Sequence, residues 1–356
     1  MEMNTRFCPP LSSRPPCAPT NLSFVHDQLT LPLQESVALS APNVCLTYRE
    51  LNEGANQLAH FLQLLGVVPG TVVALCLDRS VSAVVTALAV LRAGGAYLPL
   101  DPDCPAQRLS FILRDAAPVM VIGPPSLPGP VGLRVLDLQR AAECIAAMPT
   151  HQPPSGITGD DLAYVMYTSR SSQKPRGVEV NHSNLQSLVS WHRQAFQVDA
   201  QDRASQLASL GFDAGVWEIW PYLASGASLH VVPDEIPATA SRLRDWIVAH
   251  QITVGFAPTA LAESLEALDW PESSALRVLL TGGEALRGYP IRDLPLRFAN
   301  HYCHSEPTVA AISCTVSPTT WTSAGRLEKL SPMSVSTCST AWGRRSGCPT
   351  PRTTRP

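Results

Sequence analysis

In the first half of the chain, short apolar runs alternate with stretches of helical periodicity. The runs at 72–77, 96–100 and 119–123 predict strands, and the stretches at 80–92 and 105–115 predict helices. Short apolar strands separated by helical stretches of this length are typical of a parallel sheet with helices on both faces. This part of the chain is therefore predicted to be α/β.

The same alternation continues in the second half and extends the α/β prediction to it. No repeat of fixed period stands out, so a solenoid is not indicated. The predicted strands are 162–167, 206–210, 229–232, 252–256, 277–283 and 297–302, and the predicted helices are 182–196, 239–250 and 258–267.

An amphipathic helix is predicted to begin after Leu46. Thr47 and Glu50 have the spacing of a capping box, in which each side chain accepts a hydrogen bond from the other residue's backbone N–H. The helix needs no functional explanation, because its apolar residues have the spacing of an ordinary core-facing stripe: Leu51, Ala55, Leu58, Leu62 and Leu65.

The stretch 162–180, LAYVMYTSRSSQKPRGVEV, carries the first candidate chemistry. An apolar strand leads into a turn rich in Ser and Thr, which closes with Lys174, Pro175, Arg176 and Gly177. Hydroxyls and backbone N–H groups in such a loop can surround phosphate oxygens while a cation offsets their charge. Ser-rich basic turns are also common as plain surface loops, so these residue types alone leave both interpretations open.

Composition narrows the class of protein. The 356 residues are 45% hydrophobic and 15% charged, which is enough to build a large core. A net charge of −3 without a concentrated basic face argues against nucleic-acid binding. We find no apolar run of membrane-spanning length and no export signal, and the ten cysteines are scattered without CxxC pairs. These features predict a cytoplasmic protein without a membrane partner.

The motifs together resemble the adenylate-forming, AMP-binding superfamily, and within it the adenylation domains of nonribosomal peptide synthetases. The turn after 162–167 is similar to that family's phosphate loop, YTSGSTGxPKG, and both LTYREL and LRAGGAYLPLDP resemble further core motifs. The resemblance implies the large N-terminal lobe of that fold, with stacked, mostly parallel sheets flanked by helices. Residues implied to bind phosphate are Thr168, Ser169, Ser171, Ser172, Arg176 and Gly177.

The phosphate loop departs from the family pattern at several positions. Arg170 and Gln173 replace the two loop glycines, which removes conformational freedom and places side chains where backbone would approach phosphate. Ser172 for Thr and Arg176 for Lys preserve the hydroxyl and the charge.

The element 212–217, FDAGVW, resembles the family's FDASVW, whose Asp pairs with the α-ammonium of an amino acid. An Asp beside aromatic residues could otherwise be a turn or helix cap, but its place after the phosphate loop favours the functional interpretation. The lining is apolar apart from Asp213 and His301, and it resembles pockets associated with leucine. The implied substrate-binding residues are Asp213, Ala214, Trp217, Phe256, Leu280, Gly282, His301, Val309 and Ala310.

Two further segments resemble nucleotide-facing motifs. Residues 300–306, NHYCHSE, are similar to NxYGPTE and imply that Asn300 and Tyr302 lie at adenine and that Glu306 helps to hold Mg²⁺. Residues 281–284, TGGE, imply nucleotide contacts from Gly282, Gly283 and Glu284. Cys303 and His304 replace Gly and Pro; this pair could instead suggest a metal or nucleophile site, but no further ligand stands at suitable spacing.

The predicted domains are a Pro-rich disordered lead at 1–23, an adenylation large subdomain at 24–311 and a non-homologous, disordered tail at 312–356. The tail is rich in Ser, Thr, Pro and Arg and has one acidic residue, Glu328. The family's ribose-binding Asp and its small C-terminal subdomain with a catalytic Lys are not matched. Such a change is what a reading-frame shift or a mis-spliced gene model would produce.

The resemblance implies that an amino acid and ATP, with Mg²⁺, give aminoacyl-AMP and pyrophosphate. Intact relatives then pass the aminoacyl group to a phosphopantetheinyl carrier domain, a step not expected of this polypeptide alone. Two alternatives stay open. One is an inactive remnant that at most binds nucleotide or amino acid, and the other is an acyl- or aryl-acid ligase of the same superfamily.

Overall fold

The computed structural model describes residues 24–30, 34–127, 132–167, 175–284, 296–302 and 312–316. Strands within these residues build two sheets, described below. In chain order they are β1 (Val37–Ala41), β2 (Val44–Thr47), β3 (Val72–Cys76), β4 (Ala96–Leu100), β5 (Met120–Ile122), β6 (Val135–Leu136), β7 (Leu162–Tyr167), β8 (Gly177–Asn181), β9 (Arg203–Gln206), β10 (Ser228–Val231), β11 (Val254–Pro258), β12 (Val278–Gly282), β13 (Arg297–Tyr302) and β14 (Ile312–Val316).

The α-helices of the described residues occupy most of the connections between strands. In chain order they are α1 (Tyr48–Leu64), α2 (Val81–Ala93), α3 (Ala106–Ala116), α4 (Ala142–Ala146), α5 (His182–Phe196), α6 (Asp213–Leu223), α7 (Ala240–Ala249) and α8 (Thr259–Glu266). None of them has both the length and the apolar character needed to cross a bilayer.

Both sheets are mostly parallel, as predicted. The first has the order β14-β13-β12-β11-β9-β10-β1-β2, and the second has the order β6-β5-β3-β4-β7-β8. Only the edge strands β2, β14 and β8 run antiparallel to their neighbours. The predicted α/β class, with mostly parallel sheets flanked by helices, is confirmed.

Two helices pack between the sheets. α2 contacts β3 and β4 of one sheet and β1 of the other, and nearly every residue of the helix is buried. α6 packs on β9 and β10, and its Trp220 donates a hydrogen bond of 3.0 Å to the Tyr97 hydroxyl on β4 of the opposite sheet. A helix that is apolar around its whole circumference is stable only when covered on all sides, and both helices meet that condition.

Most predicted elements are confirmed to within two residues at each end, and β4, β7, α5 and β13 match in full. The strand predicted at 206–210 is wrong, because β9 covers Arg203–Gln206 and residues 207–212 form a loop. The β1–β2 hairpin was not predicted. β14 lies beyond residue 311, where we placed the end of the lobe, and pairs with β13; the domain boundaries stay predictions.

Candidate active site

The predicted phosphate loop connects β7 to β8. These strands pair antiparallel, with Tyr167 opposite Gly177 at the end from which the loop leaves. The Tyr167 hydroxyl donates a hydrogen bond of 2.7 Å to the Asp115 carboxylate of α3 and so ties the base of the loop to that helix. Arg176 is exposed directly before β8. The remaining predicted phosphate-binding residues, Thr168, Ser169, Ser171 and Ser172, lie outside the described residues.

The turn at the end of β12 is built around two glycines. A Cβ at Gly282 would lie 2.7 Å from the backbone oxygen of His301, so only glycine allows β12 and β13 to approach at this point. Gly283 has φ of +97°, a conformation that favours glycine, and apart from its chain neighbours no atom of the described residues lies within 4 Å of the position that a Cβ would occupy. The Thr259 hydroxyl lies 3.1 Å from the carbonyl oxygens of Gly282 and Glu284 and holds the turn.

The predicted adenine-side residues continue along β13. Asn300 pairs in register with Thr281 of β12 and is half-buried, and the Tyr302 backbone pairs with Ile312 of β14. Cys303, His304, Glu306, Val309 and Ala310 lie outside the described residues. Among the residues that are described, no group of three or more His, Cys, Asp or Glu side chains could hold a metal ion.

Asp213 is the first residue of α6. Its Oδ1 accepts a hydrogen bond of 2.8 Å from the backbone N–H of Ala214, and the residue is exposed. Trp217 stands four residues later, about one helical turn, so Asp213 and Trp217 share a face of the helix. The Asp213 carboxylate is therefore accessible to solvent, whereas Trp217, one turn further along the same face of α6, is buried.

The structure brings the remaining described pocket residues together. The Trp217 ring lies 4.9 Å from Phe256, perpendicular to it, and 4.7 Å from His301. Leu280 pairs in register with Phe256, so the two side chains share a sheet face. These residues and Ala214 are all buried, and Trp217 joins Phe256 and His301 into one mostly apolar wall, one helical turn after Asp213.

His301 is the one polar member of this wall. Its ring is 4% exposed, and neither nitrogen has a hydrogen-bond partner among the described residues. Burial, followed by the nearby Arg297, lowers the pKa of His301 to about 4, so the ring is neutral at pH 7. Aromatic side chains of α5 lie behind it: Trp191 at 5.8 Å, His192 at 6.1 Å and Phe196 at 5.5 Å.

Two functional candidates were missed from the sequence. Glu218 is buried on α6 and binds backbone N–H groups in the loop before that helix, and Arg79 binds the same loop from the turn after β3. A single carboxylate inside the apolar run 214–223 was the available signal for Glu218. Arg79 had none, because its contact depends on the tertiary fold.

Comparison with known proteins agrees with this geometry. A family model described as AMP-binding enzyme matches residues 32–335. One polypeptide of the linear gramicidin synthase of Brevibacillus parabrevis is 43% identical over 304 residues, which cover 82% of this chain and 6% of that protein. Bacitracin synthase 1 of Bacillus licheniformis is 39% identical over 269 residues, which cover 75% of this chain and 5% of that protein. The chain therefore spans only a small part of the curated relatives it matches.

Solved structures give the same result. The AMPPNP-bound form of the nonribosomal peptide synthetase FmoA3 superposes with a TM-score of 0.74 and 26% identity, over 84% of this chain and 33% of that one. The chain belongs to the AMP-binding enzyme family, and within that family to the adenylation domains of nonribosomal peptide synthetases.

Proposed function

We propose that this lobe activates the carboxylate of an amino acid by joining it to AMP, with release of pyrophosphate. The observation that carries the proposal is the arrangement on α6, where an exposed Asp213 stands one turn before the buried ring of Trp217. A carboxylate above an apolar wall suits a ligand with an ammonium group at one end and an apolar side chain at the other.

We propose an aliphatic amino acid, with leucine favoured, as the substrate. Ala214, Trp217, Phe256 and Leu280 would contact its side chain, and transfer of such a side chain from water to an apolar pocket contributes about 1.5–3 kcal/mol. Val309 and Ala310 would complete the wall. Neighbouring aliphatic side chains differ by about 1–3 kcal/mol per methylene, so discrimination among them is expected to be modest.

ATP would lie across the ends of β7 and β12. Thr168, Ser169, Ser171, Ser172 and Arg176 would bind the phosphates. The backbone at Gly283 suits close approach of a nucleotide, because it carries no side chain and has the positive φ that favours glycine. The AMPPNP-bound FmoA3 structure supports ATP as the nucleotide.

Mg²⁺ would be held by Glu306, an oxygen ligand of the type this ion prefers. When bound, the ion would supply charge neutralisation at the phosphates. The chain's own part is positioning: Asp213 holds the amine, and Asn300, Tyr302 and Glu284 hold the nucleotide, so that the substrate carboxylate faces the α-phosphate. The acceptor of the aminoacyl group in the next step would be the phosphopantetheine thiol of a carrier domain.

A second candidate function is binding of nucleotide or amino acid without turnover. Arg170 and Gln173 favour it, because side chains replace glycines where the phosphate loop must approach its ligand. An acyl- or aryl-acid ligase is less well supported, since such acids have no ammonium group to pair with Asp213.

Exchange of pyrophosphate into ATP, measured with different carboxylic acid substrates, distinguishes these candidate functions. Purified chain would be assayed with leucine, other amino acids, 4-methylpentanoate and benzoate. Adenylation predicts exchange with an aliphatic amino acid and none with 4-methylpentanoate, which is leucine without its amine. Exchange with benzoate and with no amino acid would establish the aryl-acid ligase, and no exchange from folded protein would favour the non-catalytic binder.

A further inference from the structure

The backbone directly after β9 is held by side chains instead of by a neighbouring strand. The Gln206 carbonyl accepts the N–H of Val232 at 3.0 Å and ends the pairing with β10. The next two N–H groups turn to Glu218: that of Leu207 donates to Oε1 at 3.0 Å, and that of Ala208 donates to Oε2 at 2.7 Å. One carboxyl group therefore binds two consecutive peptide groups.

Arg79 binds the same peptide from the opposite side. It lies in the turn between β3 and α2, and its Nη1 donates to the Leu207 carbonyl while its Nη2 pairs with Asp234. The Arg79 side chain is only 11% exposed, whereas Asp234 is 84% exposed. The Arg79 guanidinium therefore joins a buried partner, the Leu207 carbonyl, to a surface partner, the Asp234 carboxylate.

The rest of the loop folds onto the first turn of α6. The Phe212 N–H donates to the Ser209 carbonyl at 3.0 Å, and a Cβ on Gly215 would lie 2.7 Å from that same oxygen. Phe212, the N-cap residue of α6, makes no side-chain capping bond, and in the first turn the Asp213 carboxylate accepts the Ala214 N–H. Loop and helix start therefore form one unit, with Asp213 at its tip.

We infer that Glu218 and Arg79 are positioning residues for amino acid recognition. Together they hold the backbone at Leu207 and Ala208, and that attachment sets where α6 presents Asp213. The inference rests on the proposed function, in which Asp213 pairs with the substrate ammonium.

Placing a carboxyl at position 218 has a cost that this attachment offsets. Glu218 is 1% exposed, and every other residue of α6 from Ala214 to Leu223 is buried. Burial raises the pKa of Glu218 to about 8, although the two backbone N–H groups and Arg79 lower it. A buried carboxyl without these bonds would destabilise the helix it stands on.

Amide hydrogen exchange tests the attachment without relying on activity. Glu218→Gln keeps the shape but presents an NH₂ group to one of the two backbone donors. Glu266→Gln is the matched control, because Glu266 is a second buried carboxyl, 7% exposed, on α8, which packs on β11 and β12. We expect faster exchange confined to peptides covering 207–215 in Glu218→Gln only. Equal exchange there in wild type and Glu218→Gln would overturn the proposed attachment.

Kinetics of pyrophosphate exchange test its consequence for recognition. Glu218→Gln should raise KM for leucine about five- to tenfold, the equivalent of one hydrogen bond, and leave KM for ATP nearly unchanged. Arg79→Met should act in the same direction. Parallel rises in both KM values, or no rise for leucine, would reduce the two residues to structural support and overturn the inference. If the folded wild-type chain shows no pyrophosphate exchange, the proposed function is contradicted. Amide hydrogen exchange at 207–215 would still show whether Glu218 holds the loop.

Discussion

The rings of Trp217 and His301 lie 4.7 Å apart and inclined at 67°, one on α6 and the other on β13. Their contact closes the pocket wall between a helix packed inside the lobe and the strand that leads towards the predicted metal ligand Glu306. Substrate side chain and nucleotide are therefore expected to be contacted from opposite faces of β13, because His301 alternates with Asn300 and Tyr302 along the strand.

Shortening Trp217 should change which amino acid is preferred. Trp217→Leu removes the ring that contacts Phe256 and His301, so kcat/KM for leucine should fall about tenfold while phenylalanine becomes relatively better. Trp246→Leu on α7 is the matched control, because both tryptophans are 8% exposed and Trp246 lies outside the pocket. An equal loss in both variants, with an unchanged ratio of the two substrates, would contradict the assigned wall.

Gly282 should tolerate no side chain. Gly282→Ala places a Cβ 2.7 Å from the His301 backbone oxygen and forces β12 and β13 apart, at a cost of about 1–3 kcal/mol in stability. Gly255→Ala is the control in the same sheet, where the nearest atom is a serine hydroxyl at 3.5 Å. Urea midpoints should fall for the first variant and change little for the second; equal midpoints would mean that the strand contact is less tight than described.

The start of β12 should depend on an ion pair whose Asp202 carboxylate is buried and whose Arg277 side chain is 37% exposed. Arg277 donates to both carboxylate oxygens of Asp202, at 3.0 and 2.6 Å, and Asp202 is 5% exposed. Arg277→Met leaves that carboxylate without its cation and should destabilise the fold by about 2 kcal/mol, because solvent and the Thr253 hydroxyl still reach the carboxylate. Arg244→Met, at the surface pair with Asp245, should cost less than about 1 kcal/mol. Equal losses of unfolding free energy in the two variants would contradict a larger contribution from the Arg277–Asp202 pair.

Acid should destabilise the lobe through its buried histidines. Burial lowers the pKa of His26 to about 3 and that of His182 to about 4, from 6.5. Below pH 6.5 the folded state then binds fewer protons than the unfolded chain. The free energy of unfolding is therefore unaffected by these histidines above pH 6.5 and decreases as the pH falls towards 4.

Urea midpoints at pH 7 and pH 5 measure that loss. His182→Phe should show a smaller fall between the two pH values than wild type, and exposed His151→Gln controls for loss of an imidazole. If the urea midpoint of His182→Phe falls between pH 7 and pH 5 by as much as that of wild type, His182 is not a source of the acid sensitivity. Glu218 has the opposite effect on the pH dependence of stability, because its pKa is raised on folding from 4.5 to about 8. Its contribution to the free energy of unfolding is complete below pH 4.5 and is lost as the pH rises through about 8.

Local signals in the sequence were enough to predict much of the fold. The capping box of Thr47 and Glu50 forms at the start of α1, with the Glu50 N–H donating to the Thr47 hydroxyl at 3.2 Å and the Thr47 N–H donating to the Glu50 carboxylate at 2.8 Å. The apolar run 207–210 was misassigned because Glu218 and Arg79, not a neighbouring strand, satisfy its backbone at Leu207 and Ala208. Periodicity cannot distinguish these cases.

The candidate site was predicted from motifs and only partly from chemistry. Trp217, Phe256 and His301 meet as expected from the resemblance to adenylation domains. The layer behind them was not predicted: His192 stacks on Trp217 at 6.2 Å and shares a hydrogen bond of 3.0 Å with the Tyr222 hydroxyl. Nothing in the helical spacing of α5 marks His192, because its partners come from another helix.

The role of Asp213 is the central claim, and leucine-dependent pyrophosphate exchange by Asp213→Ala tests it most directly. Loss of a charge-assisted contact to the substrate ammonium should lower kcat/KM by about 30-fold or more. Glu143→Ala, which removes an exposed carboxylate on α4, should retain wild-type exchange. Leucine-dependent exchange that survives in Asp213→Ala at the wild-type level would contradict the account.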